Sequence, residues 1–125
     1  MRFLLAVSFV LLAGGCQYRH TTIGPGATAE LVLVNRSTVN ICYVYFTPTS
    51  DSSYGSDRLG ADEVLRPTWS RTWSIPPDRW DYTLQDCDGN TLIDRRRIDI
   101  GPSQRHTIEY AGDETATRTE ALPAE

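Results

Sequence analysis

An all-β fold is what this sequence predicts, on three observations. Short runs rich in β-branched and aromatic residues recur at even spacing between residues 29 and 110, Pro and Gly punctuate the gaps between them, and no stretch there repeats apolar residues with the 3.6 period of a helix. Two sheets closing over one core is the architecture such a pattern specifies.

The chain opens on a signal element. Arg2 supplies a positive start, residues 3–13 are apolar apart from Ser8, and Leu12-Ala13-Gly14-Gly15 leads into Cys16. The run is too short for an ordinary spanning helix, which needs about 20 apolar residues, and its basic start and small-residue end are those of an export signal. Small side chains before the cut let a peptidase hold the chain extended, and a thiol just after it can take a lipid on sulfur and an acyl chain on its freed amine. Leu12-Ala13-Gly14-Gly15-Cys16 resembles the lipobox of bacterial lipoproteins, with Ala13 where an aliphatic residue is commoner and Leu12 one place further out.

That resemblance implies a signal peptide of residues 1–15 cut by signal peptidase II, and Cys16 as the lipidation site, carrying palmitate-type chains. At about 0.8 kcal/mol per buried CH₂, two or three chains hold a protein to a membrane without crossing it. Gln17 in place of Asp after the Cys implies the outer membrane of a Gram-negative envelope rather than the inner one. The competing reading is an ordinary secretory signal whose cleavage region contains a Cys.

Residues 16–28, with Thr21, Thr22, Gly24, Pro25 and Gly26, read as the lipidated start and a tether. The domain begins at Ala29. Glu30-Leu31-Val32-Leu33-Val34-Asn35 and Val39-Asn40-Ile41-Cys42-Tyr43-Val44-Tyr45-Phe46 look like a first hairpin. In the second run Ile41, Tyr43 and Tyr45 share one face and Cys42, Val44 and Phe46 the other, so it reads as a central strand. Residues 47–60, rich in Ser, Asp and Gly, form the longest loop, either a functional segment or a plain exposed connection.

Glu63-Val64-Leu65 reads as a brief strand stopped by Pro67, and residues 69–75 as another, ended by Pro76-Pro77. In residues 79–85, Trp80, Tyr82 and Leu84 alternate with Asp81, Thr83 and Gln85, the pattern of a strand with one buried face. Asp88-Gly89-Asn90 turns, residues 92–100 return, Gly101-Pro102-Ser103 turns again, and residues 105–110 close the domain. About seven strands with this punctuation point to an immunoglobulin-like β-sandwich over residues 29–110. Residues 111–125, with four acids, one Arg and no aromatic residue, are expected to be a disordered acidic tail.

Composition narrows the function classes. The length suits one domain. Twelve basic residues, all Arg, face sixteen acids for a formal charge of −4, and losing Arg2 with the signal makes the balance more negative. No basic stripe for nucleic acid is visible. Once Cys16 is lipidated, Cys42 and Cys87 remain as an even pair bound for an oxidising compartment, and they are expected to form a disulfide. A pair of free thiols or metal ligands is the alternative, without a CxxC or neighbouring His to support it.

Leu31-Val32-Leu33-Val34-Asn35, Ile41-Cys42-Tyr43-Val44-Tyr45, Trp73-Ser74-Ile75-Pro76-Pro77, and Tyr82 with Asp86-Cys87-Asp88-Gly89-Asn90 also resemble an uncharacterised small β domain of bacterial lipoproteins and secreted proteins. This implies fold and placement and no particular activity.

Three constellations carry chemistry. Trp69, Arg71 and Trp73 share one strand face, a layout for stacking a sugar ring; the alternative puts Trp73 and Ile75 in the core with Arg71 laid across Trp69 at the rim. Asp86, Asp88 and Asn90 are spaced like the opening of a calcium loop, but Gly89 comes too early and Arg97 stands where a closing Glu is needed, so an Asp-Gly hairpin turn accounts for them better. Arg95-Arg96-Arg97 could meet phosphate headgroups, although Asp94 and Asp99 flank it as on a solvated strand face.

His106 has no Ser, Cys or carboxylate partner nearby in sequence, His20 lies in the tether, and no G-x-S-x-G or H-E-x-x-H motif occurs. The sequence therefore predicts a lipid-anchored envelope protein that is a binding or structural module, with no cofactor, no catalytic residues, and an envelope protein or glycan as partner. An envelope glycan-binding domain is the alternative.

Overall fold

A computed structural model describes residues 28–123. Residues 1–27, with the expected signal, Cys16 and most of the expected tether, lie outside the described residues, as do residues 124–125. The described chain has seven strands and no helix: β1 (Ala29–Asn35), β2 (Ile41–Pro48), β3 (Ser70–Ile75), β4 (Asp78–Asp86), β5 (Thr91–Ile100), β6 (Gln104–Tyr110) and β7 (Thr115–Ala121). One sheet runs β3-β1-β6-β7 and the other β2-β4-β5. In the first, β1 pairs parallel to β6 at the centre and the outer pairs are antiparallel; the second is antiparallel throughout.

Period-2 alternation builds the core. Leu31, Leu33, Ile75 and Ile108 face inward from the first sheet, and Val44, Phe46, Trp80, Tyr82, Leu84 and Ile100 from the second, in one continuous cluster. Burying each such side chain is worth about 1.5–3 kcal/mol. Phe46 meets Trp73 and Trp80 edge-on at 5.2 and 5.7 Å, which ties β2 to both sheets.

Several expectations are corrected. β1 and β2 are not a hairpin; they lie in different sheets. The link between them is a corner fixed by Asn35, which is wholly buried. Its Nδ2 donates to the carbonyls of Val39 and Leu65, and its Oδ1 accepts from the Ser37 amide and hydroxyl. Both strands point apolar side chains into the same core, so they face each other across it instead of pairing.

β2 is an edge strand rather than a central one. A bulge between Ile41 and Tyr43 re-aims Ile41 into the core with Val44 and Phe46, leaving Tyr43 and Tyr45 on the outer face. Its free edge is covered by the β2–β3 connection: Asp57 accepts from the Val44 amide, Arg58 donates to the Val44 and Phe46 carbonyls, and Leu65 bridges Ile41. That bridge is all that forms where residues 63–65 were expected to make a strand.

β4 is the central strand and is buried on both faces, since Asp81 and Thr83 are covered as well as Trp80, Tyr82 and Leu84. Residues 115–121 are not a disordered tail. They form β7, in register with β6 from Gln104↔Ala121 to Tyr110↔Thr115. Pairing with an existing strand, not apolar content, orders them, and the domain therefore runs past residue 110.

The strands define two poles. At one, the Ser103 amide donates to the Thr28 carbonyl and the Leu122 amide to the Ser103 carbonyl, so both described ends of the chain meet there. β1 then carries the chain about 20 Å to the other pole at about 3.3 Å per residue. The 36–40 corner and Trp69, whose carbonyl accepts from the Asn35 amide, lie at this far pole with the β4–β5 turn.

Candidate functional site

Cys42 and Cys87 are joined as expected, with Cα atoms 4.8 Å apart. Both belong to the three-stranded sheet, Cys42 in the β2 bulge and Cys87 just after β4, so the bridge clips neighbouring strands at the far pole and does not cross the core.

The predicted trio divides. Trp73 is half-buried against Phe46, its indole N–H donates to the Arg58 carbonyl, and Arg71 lies over its ring at 5.0 Å while pairing with Glu63 at 2.7 Å. The Arg71 hydrogen bond holds the Glu63 carboxyl below its ordinary range. Arg71 and Trp73 are thus covered by the β2–β3 connection. Trp69 stands apart, 53% exposed, with Arg66 rather than Arg71 over its ring at 5.5 Å.

The Asp86 carboxylate is turned into its own hairpin, accepting from the Asp88 and Asn90 amides and the Asn90 side chain. These donors, the Asn90 amide foremost, hold its pKa below the carboxylate range, and Gly89 supplies the left-handed residue the turn needs. Among the described residues no cluster of His, Cys, Asp or Glu has metal-site geometry.

The triple arginine is split by the strand and a kink. Arg96 lies 3.6 Å from Asp94, and Arg97 takes a left-handed φ of 61° that points its amide at Asp81. His106 bridges two hydroxyls, Tyr82 at 3.1 Å in the core and Thr119 of β7 at 2.8 Å. Burial lowers the His106 pKa and pushes Tyr82 up to about 12, so both are neutral at pH 7 and the trio is a structural tie across both sheets.

A second face gathers residues that sequence reasoning passed over. On the outer side of β2-β4-β5, Tyr43 and Tyr45 lie 6.4 Å apart with planes 7° from parallel, and Tyr54 folds back from the loop to 6.5 Å from Tyr45. Arg96 sits 5.5 Å over Tyr54 and ends the row. The Tyr54 hydroxyl donates to Asp94, which also accepts from Thr83; burial, ahead of these contacts, raises the Tyr54 pKa.

Beside the row is a hollow of about 430 Å³ lined by Thr47, Asp51, Ser52, Ser53, Tyr54 and Arg58, with an adjoining one of about 230 Å³ reaching Asp81 and Arg96. Thr47 donates to Asp51, and Thr49 to Asp81. Burial raises the Asp81 pKa, but the Arg97 amide, the Thr49 hydroxyl and two nearby guanidiniums outweigh it and hold the carboxyl low. The i, i+2 spacing of Tyr43 and Tyr45 was the available signal for this face; the return of Tyr54 from the loop had none.

The class defined is an all-β domain of two sheets over one core. Among solved structures the chain is similar in fold to the N-terminal domain of AlgF from P. aeruginosa, at 15% identity and a TM-score of 0.50, covering 81% of this chain and 100% of that one. An NMR structure of a protein from Eubacterium rectale aligns at 15% identity and a TM-score of 0.48, over 84% of this chain and 98% of the other. No protein-family model and no curated protein matches the chain.

Proposed function

We propose that this is a lipid-anchored protein of the cell envelope, held through Cys16 to the outer membrane, whose β domain is a binding or structural module and not an enzyme. The fold is taken to be a variant of the immunoglobulin-like sandwich: the antiparallel β2-β4-β5 sheet corresponds to its three-stranded sheet, and the parallel β1–β6 pair is where the other sheet departs from it.

The observation that supports a module is its polarity. Thr28, where the tether joins, is at one pole, whereas Trp69 and Val39, at 53% and 41% exposure the large apolar side chains most open among the described residues, are at the other. A tethered domain so oriented offers Trp69 to a partner away from the bilayer, and Trp and Arg are the residue types that dominate binding hot spots.

Two measurements on the full chain, expressed in a Gram-negative host, test this. A palmitate analogue should label the protein and fail to label Cys16→Ala; label retained by the variant, or absent from both, overturns the anchor. A photo-crosslinking residue at position 69 should capture an envelope component that the same residue at Pro102, on the tether pole, does not. Equal capture at both positions, or none at 69, overturns the module reading. An envelope glycan is the second reading, favoured by the tyrosine row on the outer face of β2-β4-β5.

A further inference from the structure

We propose that the outer face of β2-β4-β5 is a binding platform for an uncharged, extended glycan, stacked on Tyr43, Tyr45 and Tyr54. The proposal deepens the second reading above and is independent of the membrane anchor.

Three features point to this ligand. The first is the aromatic row itself: the Tyr43 and Tyr45 rings lie within 7° of parallel, Tyr54 is tilted by 53° to Tyr45, and the face of an aromatic ring complements the C–H face of a pyranose. The step of 6.4 Å between the rings, repeated at 6.5 Å to Tyr54, lets successive rings serve successive sugars of an extended chain. The second is the polar border. Thr47, Ser52 and Ser53 line the hollow beside the row, with Asp51, Asp81 and Asp94 next to them. Each carboxylate offers about four acceptor sites, more than the one or two side-chain hydroxyls it now accepts from, and sugar hydroxyls are the donors that would use them.

The third is charge. Asp51, Asp81 and Asp94 meet Arg58, which lines the hollow, and Arg96 and Arg97, which lie near Asp81, so the face has no excess of positive charge to hold a polyanion. A peptide fits less well. Adding a strand to β2 is blocked by Asp57 and Arg58 on its free edge.

The test uses the full chain in detergent micelles, with the β-1,4-linked hexamer of N-acetylglucosamine as the uncharged probe. A hexamer of galacturonic acid and a proline-rich peptide are the comparisons. Calorimetry and saturation-transfer NMR should show the neutral hexamer binding, at least tenfold more weakly to Tyr43→Ala/Tyr45→Ala and unchanged to Trp69→Ala. Tyr54→Phe, which keeps the ring, should bind better than Tyr54→Ala. Near-UV circular dichroism of each variant establishes that the fold is kept.

No binding of the neutral hexamer, equal binding to the double variant, or tighter binding of the galacturonate or the peptide overturns the proposal. Palmitate labelling and capture at position 69 are unaffected by any of these outcomes, so the two readings fail separately.

Discussion

Asn35 is buried and holds two parts of this fold at once. Its amide is shared between the β1–β2 corner and the Leu65 carbonyl, so one side chain holds the crossing between sheets and the connection that covers β2. Replacing it with Ala orphans buried acceptors at about 1–3 kcal/mol each. Asn35→Ala should lower stability by about 2–4 kcal/mol, read as a shift in the urea midpoint at unchanged slope. A shift under about 0.5 kcal/mol would mean the corner is held by something else.

His106 gives the molecule a pH dependence whose sign follows from burial. Its folded pKa lies below the ordinary 6.5, so the unfolded chain binds the extra proton and its contribution to stability is complete above 6.5. That contribution is lost as pH falls below 6.5 toward the folded value. Urea midpoints taken from pH 7.5 downward should therefore fall more steeply for the native chain than for His106→Gln. Parallel curves would remove His106 from the account.

At the scale of elements, the Cys42–Cys87 bridge closes a separation of 45 residues. In the chain-entropy model a loop of that length stabilises by about 4 kcal/mol. Cys42→Ser/Cys87→Ser should lose about that much, and the native protein should lose the same on reduction. β7 makes a separate test, because amides hydrogen-bonded to β6 exchange slowly and those of a solvated tail do not. Hydrogen exchange should find protected amides between Thr115 and Ala121, and fast exchange throughout would return those residues to a tail.

β7 also shows what the sequence could not display. β1, β3 and β4 were legible because alternate residues enter the core, as Trp80, Tyr82 and Leu84 do, and β5 and β6 because turns at residues 88–90 and 101–103 bound them. Thr115-Ala116-Thr117-Arg118-Thr119-Glu120-Ala121 carries no such signal: its order comes from β6 backbone and from the one hydroxyl that meets His106. The β1–β2 link was misread for a similar reason, since a short connection suggests a hairpin and only the distant Leu65 carbonyl makes Asn35 turn a corner. Of the candidate trio, the core role of Trp73 was visible in its spacing, but the Arg partners were exchanged because the connection bringing Glu63 to Arg71 is long-range.

For the whole molecule, the parallel β1–β6 pair sets the wiring. Glu30 faces Arg105 in that pair, and the two side chains form an ion pair at 3.0 Å on the sheet's outer surface. Exposed pairs of this kind are worth less than about 1 kcal/mol, so it is backbone pairing and Leu31, Leu33 and Ile108 beneath that hold the sheet together. Such pairing joins the beginning of the domain to its end.

A ribosome therefore releases β1 long before its permanent neighbour exists. Chains dominated by distant contacts close slowly, in milliseconds to seconds, and a nascent chain truncated after Ser103 should remain unstructured by near-UV circular dichroism while one reaching Leu122 folds. A polypeptide that stays open until β6 and β7 have been synthesised is in the condition in which a secretion channel can thread it.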